Sequence, residues 1–139
     1  MFSRVKVRKG ALDYFRKLSR QSYPLEIQAF LIGKVNSVDE IEITRFAYPK
    51  QYHTQTHCEV CWLDDEFTEL KTNILKAGER IVGDCHTHPD WEPILSPVDY
   101  QGFITEGLLV CGVVSVNNNK TRVRFWTANS ALPCKIIYI

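Results

Sequence analysis

This chain of 139 residues has no long apolar run and a formal net charge of only +1. Its number of cysteines is odd. No stretch approaches the roughly 18 consecutive apolar residues of a bilayer-spanning helix, so we expect no membrane segment. Residues 1–9 are interrupted by charge and lack the apolar stretch and small-residue cleavage site of a secretory signal. Five cysteines cannot all form disulfides, so we expect the protein in a reducing cytoplasm.

The formal net charge of +1 conceals an uneven distribution of charge along the chain. Residues 1–20 contain seven Lys or Arg and a single acid, Asp13, which gives this segment a local charge of +6. A basic face of this kind suits nucleic acid or an acidic partner. Because no nucleic-acid motif accompanies it, we interpret it as the solvated surface of a strand and a helix and expect no nucleic-acid partner.

The apolar content is sufficient for one packed core. Hydrophobic residues make up 45% of the sequence, and a domain of this length builds a core without disulfides or a structural metal. We see no linker, internal repeat or low-complexity segment. The expectation is a single domain over residues 1–139.

Hydrophobic periodicity predicts the elements of this domain. Strands are expected at residues 2–7, 29–35, 41–46, 58–63, 80–85, 108–116, 121–127 and 135–139. Gly10 is expected to break the first strand, and a helix is expected over residues 11–20. A second helix is expected from Asp64 to Gly78. The order predicts a mixed β-sheet flanked by helices, in an α/β or α+β domain.

Two histidines and an aspartate form the strongest candidate site. The strand predicted from Arg80 runs on into the histidines, so His86 and His88, two residues apart, project from the same face. Pro89 should end that strand and place the pair at the edge of the sheet. Ser96 is a good helix N-cap, so Asp99 should lie in the first turn of a helix that folds back over the histidines.

The donor set predicts a catalytic metal site. Two imidazoles and one carboxylate leave a fourth position for water, which is the pattern of catalytic zinc. Zinc lowers the pKa of such a water to about 7. We therefore expect one Zn²⁺ per chain. The same ligands also describe the facial triad of mononuclear iron oxygenases, which stays open as an alternative.

The spacing of these residues resembles a known signature. His86-x-His88, then seven residues, Ser96, two residues and Asp99 is similar to the motif of the JAMM metallopeptidases, also called the MPN+ or JAB domain. The resemblance implies the JAB/MPN (cytidine-deaminase-like) fold. It also implies a hydrolase that cleaves amide bonds.

The family places a glutamate before its second strand, in a pattern like Glu-x-x-Gly-x-Leu-x-Gly. The segment from Glu26 to Gly33 matches, with Ala29 where glycine is usual. The resemblance implies that Glu26 is the general base and acid, and that Ser96 donates a hydrogen bond to the tetrahedral oxyanion. The implied substrate is a ubiquitin-like or sulfur-carrier protein, cleaved after its C-terminal glycine. Whether a lysine conjugate or a C-terminal extension is removed stays open.

A different class of function is a protein-interaction module that binds metal without turnover. The chain looks like a bare catalytic core, so an extended substrate tail is expected to add as a strand at the sheet edge. Small residues near the metal, among them Thr87, favour a tail that ends in glycine.

Other candidate residues are weaker. Cys58 and Cys61 resemble half of a zinc finger, but in a strand over residues 58–63 they would face opposite sides. Cys85 should face away from His86, whereas Asp84 shares its face and either supports that ligand or is solvated. Trp91 lies in the loop beside the site, where it packs or touches substrate.

Overall fold

The structure, a computed structural model, describes residues 2–128 and 132–139. Its strands are β1 (Arg4–Val7), β2 (Gln28–Ser37), β3 (Glu40–Ala47), β4 (Tyr52–Gln55), β5 (Val60–Trp62), β6 (Arg80–Pro89), β7 (Val110–Asn117), β8 (Lys120–Thr127) and β9 (Lys135–Tyr138). Its helices are α1 (Lys9–Ser22), α2 (Asp64–Glu69), which continues as a π-helical segment (Leu70–Ile74), and α3 (Pro97–Thr105).

A seven-stranded mixed sheet organises the fold, with strand order β8-β7-β6-β2-β3-β1-β9. The pairs β1–β3, β1–β9 and β6–β7 are parallel, and the pairs β2–β3, β2–β6 and β7–β8 are antiparallel. β4 and β5 form a separate antiparallel pair. The predicted fold class, an α+β domain with a mixed sheet flanked by helices, is confirmed.

Side chains alternate along the central strands, so each strand contributes apolar residues to both faces of the sheet. On β2, Leu31 joins the cluster beneath α1, whereas Phe30 and Ile32 join a second cluster with Trp62 and Leu70. The central strands are apolar on both sides because each side is covered. One face is therefore a large core, and the other face carries two smaller clusters.

Helix α1 covers one face of the sheet. Leu12 and Phe15 are fully buried against Val7, Ile43 and other strand residues. Removing each such side chain from water contributes about 1.5–3 kcal/mol. This cluster is the rigid support beneath the strands that carry the candidate site.

The opposite face is covered in two places. The β4–β5 pair and α2 lie over the β2 side, where Trp62 and Leu70 are buried. Helix α3 lies over β7 and β8, where Phe103 packs with Cys111 and Trp126. The carboxyl-terminal half of β6, with both histidines, lies between these two coverings.

Several predicted boundaries differ from the structure. The first strand ends at Val7, and Gly10 lies in the first turn of α1, which begins at Lys9 and not at residue 11. β4 was not predicted, since its residues are mostly polar. The second helix ends at Ile74 and does not reach Gly78, whose φ of +81° places it in a turn. Among the described residues, no helix is long and apolar enough to cross a bilayer.

The expected position of the histidines at the sheet edge is wrong. β6 is an interior strand, paired with β2 through His86 and with β7 as far as Pro89. Both edges of β6 are thus used by neighbouring strands. The histidines lie at the carboxyl-terminal end of an interior strand, so no extended peptide can pair with β6 itself.

Close packing of β6 against β7 predicts that Gly83 tolerates no side chain. A Cβ on Gly83 would lie 1.8 Å from the carbonyl oxygen of Val110, a backbone atom of a central strand. We expect Gly83→Ala to lower the free energy of unfolding by about 3 kcal/mol, measured by urea denaturation. The matched control is Gly10→Ala, where nothing lies within 4 Å and α-helical geometry favours alanine. Equal stability of the two variants would contradict this packing.

Candidate functional site

Three side chains from β6 and α3 converge on one point. The Nε2 atoms of His86 and His88 are 3.2 Å apart, and each lies 3.1 Å from Oδ2 of Asp99. Both histidines are buried and Asp99 is partly buried. The structure therefore brings together the three predicted ligands as a group that could hold a metal ion.

Pairing of β2 with β6 places the predicted base beside this group. Gln28 on β2 is opposite His86, and Glu26 lies two residues before Gln28. Thr87, between the two histidines, bonds Ile27 twice: its N–H donates to the Ile27 carbonyl at 3.1 Å, and its hydroxyl accepts from the Ile27 N–H at 2.8 Å. This contact holds the backbone next to Glu26.

Thr87 was interpreted as a small residue near the substrate, and that interpretation is wrong. Its side chain is 1% exposed and is used to bond Ile27. The only sequence signal for this role is a β-branched residue with a hydroxyl group between the two predicted ligands.

His88 is oriented by the loop that follows it. Its Nδ1 donates to the carbonyl oxygen of Glu92 at 3.0 Å, which leaves Nε2 with a free lone pair in the neutral ring. Trp91, about half exposed, stacks on the His88 ring with centroids 4.6 Å apart. The loop is anchored at Asp90, whose N–H bonds the Val116 carbonyl. Trp91 thus packs against a predicted ligand.

His86 has polar neighbours behind it. Its Nδ1 lies 3.7 Å from Oδ2 of Asp84, which in turn accepts a hydrogen bond from Nε2 of Gln28 at 2.8 Å. Burial disfavours the imidazolium, but the Asp84 and Asp99 carboxyls raise the pKa of His86 above its usual value. Asp84 therefore faces the imidazole, as its shared parity with His86 predicted.

A capping box joins Ser96 and Asp99. The Ser96 hydroxyl accepts from the Asp99 N–H at 3.0 Å, and Oδ2 of Asp99 accepts from the Ser96 N–H at 3.1 Å. The predicted N-cap is confirmed. The same Oδ2 faces both histidines, so the helix start and the candidate metal group share one oxygen.

The surroundings of the two carboxyl groups of the site shift their pKa values in opposite directions. Burial raises the pKa of Glu26 to about 7, although His86 and His88 act in the opposite direction. For Asp99, burial acts in the raising direction, but hydrogen bonds with the same histidines hold its pKa well below the usual range. Glu26 can therefore exchange a proton near neutral pH, whereas Asp99 stays ionised.

A groove of about 290 Å³ opens over these residues, between β5 and α3. Trp62 lines it on one side and Phe103 on the other. Among its described lining residues are no Lys or Arg and six carboxyl side chains, those of Glu26, Glu59, Asp64, Asp84, Asp99 and Glu106. We call it the acidic groove.

The structure tests the predictions made for three of the cysteines. Cys85 is buried in the α1 core, away from His86, as predicted. Cys58 lies before β5 and not within it, so the parity argument about Cys58 and Cys61 has no basis; both line the acidic groove. Neither belongs to a group of potential ligands within the described ranges.

Cys111 was not singled out from sequence. With Asp84 and His86 it forms a second buried group of possible ligand atoms within 4.8 Å of one another. Burial raises the pKa of the Cys111 thiol to about 12, so it stays protonated and is a poor metal ligand. The group with Asp99 is the better candidate.

One family model matches most of the chain. The family model described as prokaryotic homologues of the JAB domain matches residues 8–129. None of the curated proteins compared with the sequence matches it.

Solved structures share the fold. A protein from Desulfitobacterium hafniense is 17% identical, with a TM-score of 0.69 over 97% of this chain and 92% of that chain. A protein from Salinibacter ruber is 20% identical, with a TM-score of 0.65 over 96% and 91%. A JAB1/MPN domain protein from Archaeoglobus fulgidus is 13% identical, with a TM-score of 0.63 over 95% and 98%.

Convergence of the three ligands predicts metal binding that depends on each of them. We expect His88→Ala or Asp99→Ala to lose most of the bound divalent metal, because each removes one of three donors. Elemental analysis of protein purified without added metal measures this. Cys58→Ser and Cys61→Ser are the matched controls in the acidic groove and should keep their metal. Metal loss in either cysteine variant would contradict the assignment.

Proposed function

Because the chain belongs to the family of prokaryotic homologues of the JAB domain, we propose that it is a zinc-dependent peptidase or isopeptidase. Its substrate is a ubiquitin-like or sulfur-carrier protein, cleaved after the C-terminal glycine. The observation that carries this proposal is that a buried carboxyl, Glu26, lines the same groove as His86 and Asp99. A site for hydrolysis needs a proton acceptor beside the metal ligands.

The donor group fits zinc. Ligand atoms of a tetrahedral zinc site with bonds of 2.0–2.1 Å lie about 3.3 Å apart. The three donor atoms lie 3.1–3.2 Å from one another. His86, His88 and Asp99 would hold one Zn²⁺ per chain. When bound, zinc supplies a water of lowered pKa and a Lewis acid for the scissile carbonyl.

Glu26 moves the proton. Its carboxylate takes a proton from the attacking water and passes it to the nitrogen of the leaving amine. A pKa near 7, raised by burial, suits both steps at neutral pH. The bonds between Ile27 and Thr87 fix the backbone next to Glu26 to the strand that carries the histidines.

Ser96 stabilises the oxyanion. Its oxygen already accepts the Asp99 N–H, and its hydroxyl hydrogen has no acceptor among the described residues. The hydroxyl is therefore available to donate to the tetrahedral oxygen while it still caps α3. The capping bond limits its rotation and pre-organises the donor.

The substrate tail enters through the acidic groove. Within the described residues β5 pairs only with β4, and its residues Val60, Cys61 and Trp62 line this groove. We infer that an extended chain adds along the unpaired edge of β5. Glu26, His86 and His88 are each no more than 8% exposed. A recessed site of this kind admits a thin chain, and glycine is the thinnest. The five free thiols accord with a cytoplasmic location.

Removal of the Glu26 carboxylate tests the base. We expect Glu26→Gln to keep zinc and fold but to lower kcat about a hundred- to ten-thousand-fold, because the amide keeps the shape without accepting a proton. The base must be ionised, so wild-type kcat/KM should fall as pH drops. Burial raises the pKa of Glu26 to about 7, and the positive charge of zinc would lower it, which places this fall below about pH 7.

Elemental analysis and circular dichroism of Glu26→Gln control for lost metal and lost fold. Retention of a third of wild-type activity would remove Glu26 as the base. Wild-type protein that binds zinc but hydrolyses no conjugate or extension would indicate the metal-binding interaction module. Iron in place of zinc would indicate the oxygenase.

The recessed position of the candidate site predicts that the substrate has glycine before the cleaved bond. We expect a ubiquitin-like protein that ends in Gly-Gly before a tag to be cleaved after the second glycine about a hundred-fold faster than its Val-Val counterpart. Side chains at these positions would hold the carbonyl away from the recessed site. Mass spectrometry of the products gives the bond cleaved. Equal cleavage of both fusions, or of unfolded casein, would indicate a general peptidase.

A further inference from the structure

A second groove lies on the other side of α3. It has a volume of about 500 Å³, and its lining includes Leu95, Ser96, Pro97, Tyr100, Arg124 and Trp126. We call it the arginine groove. Its lining among the described residues is apolar and aromatic apart from the hydroxyls of Ser96 and Tyr100 and the Arg124 guanidinium.

The two grooves meet at the start of α3. On one side of the helix, Asp99 and Phe103 line the acidic groove; on the other, Pro97 and Tyr100 line the arginine groove. Ser96 lines the arginine groove, and its N–H donates to the Asp99 oxygen that faces the histidines. The arginine groove therefore begins one hydrogen bond away from the candidate metal group.

Arg124 is directed to this side of the sheet by the alternation of β8. Thr121 bonds Arg16 of α1 and Phe125 is buried in the α1 core, so the odd-numbered residues face α1. Arg124 is on the opposite face with Trp126, beneath α3. No hydrogen bond or ion pair holds its guanidinium within residues 2–128 and 132–139.

An unpaired guanidinium in a partly buried apolar groove is a site for a carboxylate. Its planar donors match a carboxylate in two parallel hydrogen bonds, and the surrounding apolar side chains shield the pair from water. The acidic groove, with six carboxyl groups, repels the same ligand. Charge therefore assigns an anionic segment to the arginine groove and not to the acidic one.

We propose that the arginine groove binds the leaving segment of the substrate and that Arg124 pairs with its free α-carboxylate. The inference rests on the proposed function, in which the tail before the cleaved bond occupies the acidic groove. The single cation of the groove, Arg124, matches the single negative charge of a carboxyl terminus. The apolar lining matches apolar side chains in a short segment before that terminus. The reaction is then removal of a short C-terminal extension and not release of a lysine conjugate.

Paired substrates test this directly. A ubiquitin-like protein that ends in Gly-Gly is extended by Ala-Leu-Phe with either a free carboxylate or a terminal amide. A third substrate, Ala-Glu-Phe amide, carries its anion on a side chain. We expect wild-type kcat/KM to be roughly ten-fold higher for the free acid than for either amide.

Variants of two arginines test whether Arg124 causes the preference for the substrate with a free carboxylate. Arg124→Gln should reduce the acid-to-amide ratio to about one, because the amide side chain keeps hydrogen-bonding capacity without charge. The matched control is Arg80→Gln, at the exposed start of β6, which should keep the wild-type ratio. A ratio that survives in Arg124→Gln, or equal rates for acid and amide in wild type, would overturn the proposal. Preference for the glutamate substrate would overturn the α-carboxylate as ligand.

Binding without turnover separates this proposal from the proposed function. Ala-Leu-Phe acid, titrated into Glu26→Gln protein, should shift the NMR amide resonances of Tyr100 and Arg124, and the tripeptide amide should not. Acid binding with no cleavage of any substrate would leave the carboxylate site standing and remove the peptidase assignment. Cleavage of all three substrates at one rate would support the peptidase assignment and remove the carboxylate site.

Discussion

Two hydrogen bonds, 3.1 and 2.8 Å long, join Thr87 to Ile27 and hold the end of β6 against the residues just before β2. His86 and His88 flank one partner of this contact, and Glu26 precedes the other. Because side chains alternate along a strand, a slip of one residue in the β2–β6 register would turn the candidate ligands away from the proposed base. The large core beneath α1 fixes that register by burying the opposite face of the same strands. The chemistry on one face thus depends on packing on the other.

Burial sets the character of the ionisable groups. Four of them, Glu26, His86, His88 and Asp99, are placed together at low exposure, where isolated charges are costly. The convergence of three donors relieves that cost when a cation is shared among them. Glu26, outside the triad, has its pKa raised instead and becomes a group that exchanges protons near neutrality. Different partners therefore give neighbouring carboxyls different roles.

Helix α3 connects these features. Its capping box orients the Asp99 oxygen, and its two sides separate grooves of opposite charge. A substrate that spans the N-terminus of α3 would have its cleaved bond beside Ser96, with one segment in each groove. The direction of the substrate then follows from charge as well as from shape.

The sequence by itself determined the family, the elements with strong periodicity and the set of candidate metal ligands. His86, His88, Ser96 and Asp99 are recognisable because local rules govern them: strand alternation places two residues on one face, and a serine at an N-cap defines the first turn. The resemblance to the JAMM family was confirmed by the family match over residues 8–129.

Only the tertiary structure decided which strands neighbour one another, and with them the surroundings of the site. Pro89 ends β6 but carries no information on whether β6 is an edge strand, since pairing joins segments far apart in sequence. The roles of Thr87 and Arg124 were hidden for the same reason. Thr87 acts on a residue 60 positions away, and Arg124 reaches the site only because β8 lies beneath α3. Local propensity encodes elements, whereas long-range packing decides which side chains share a groove.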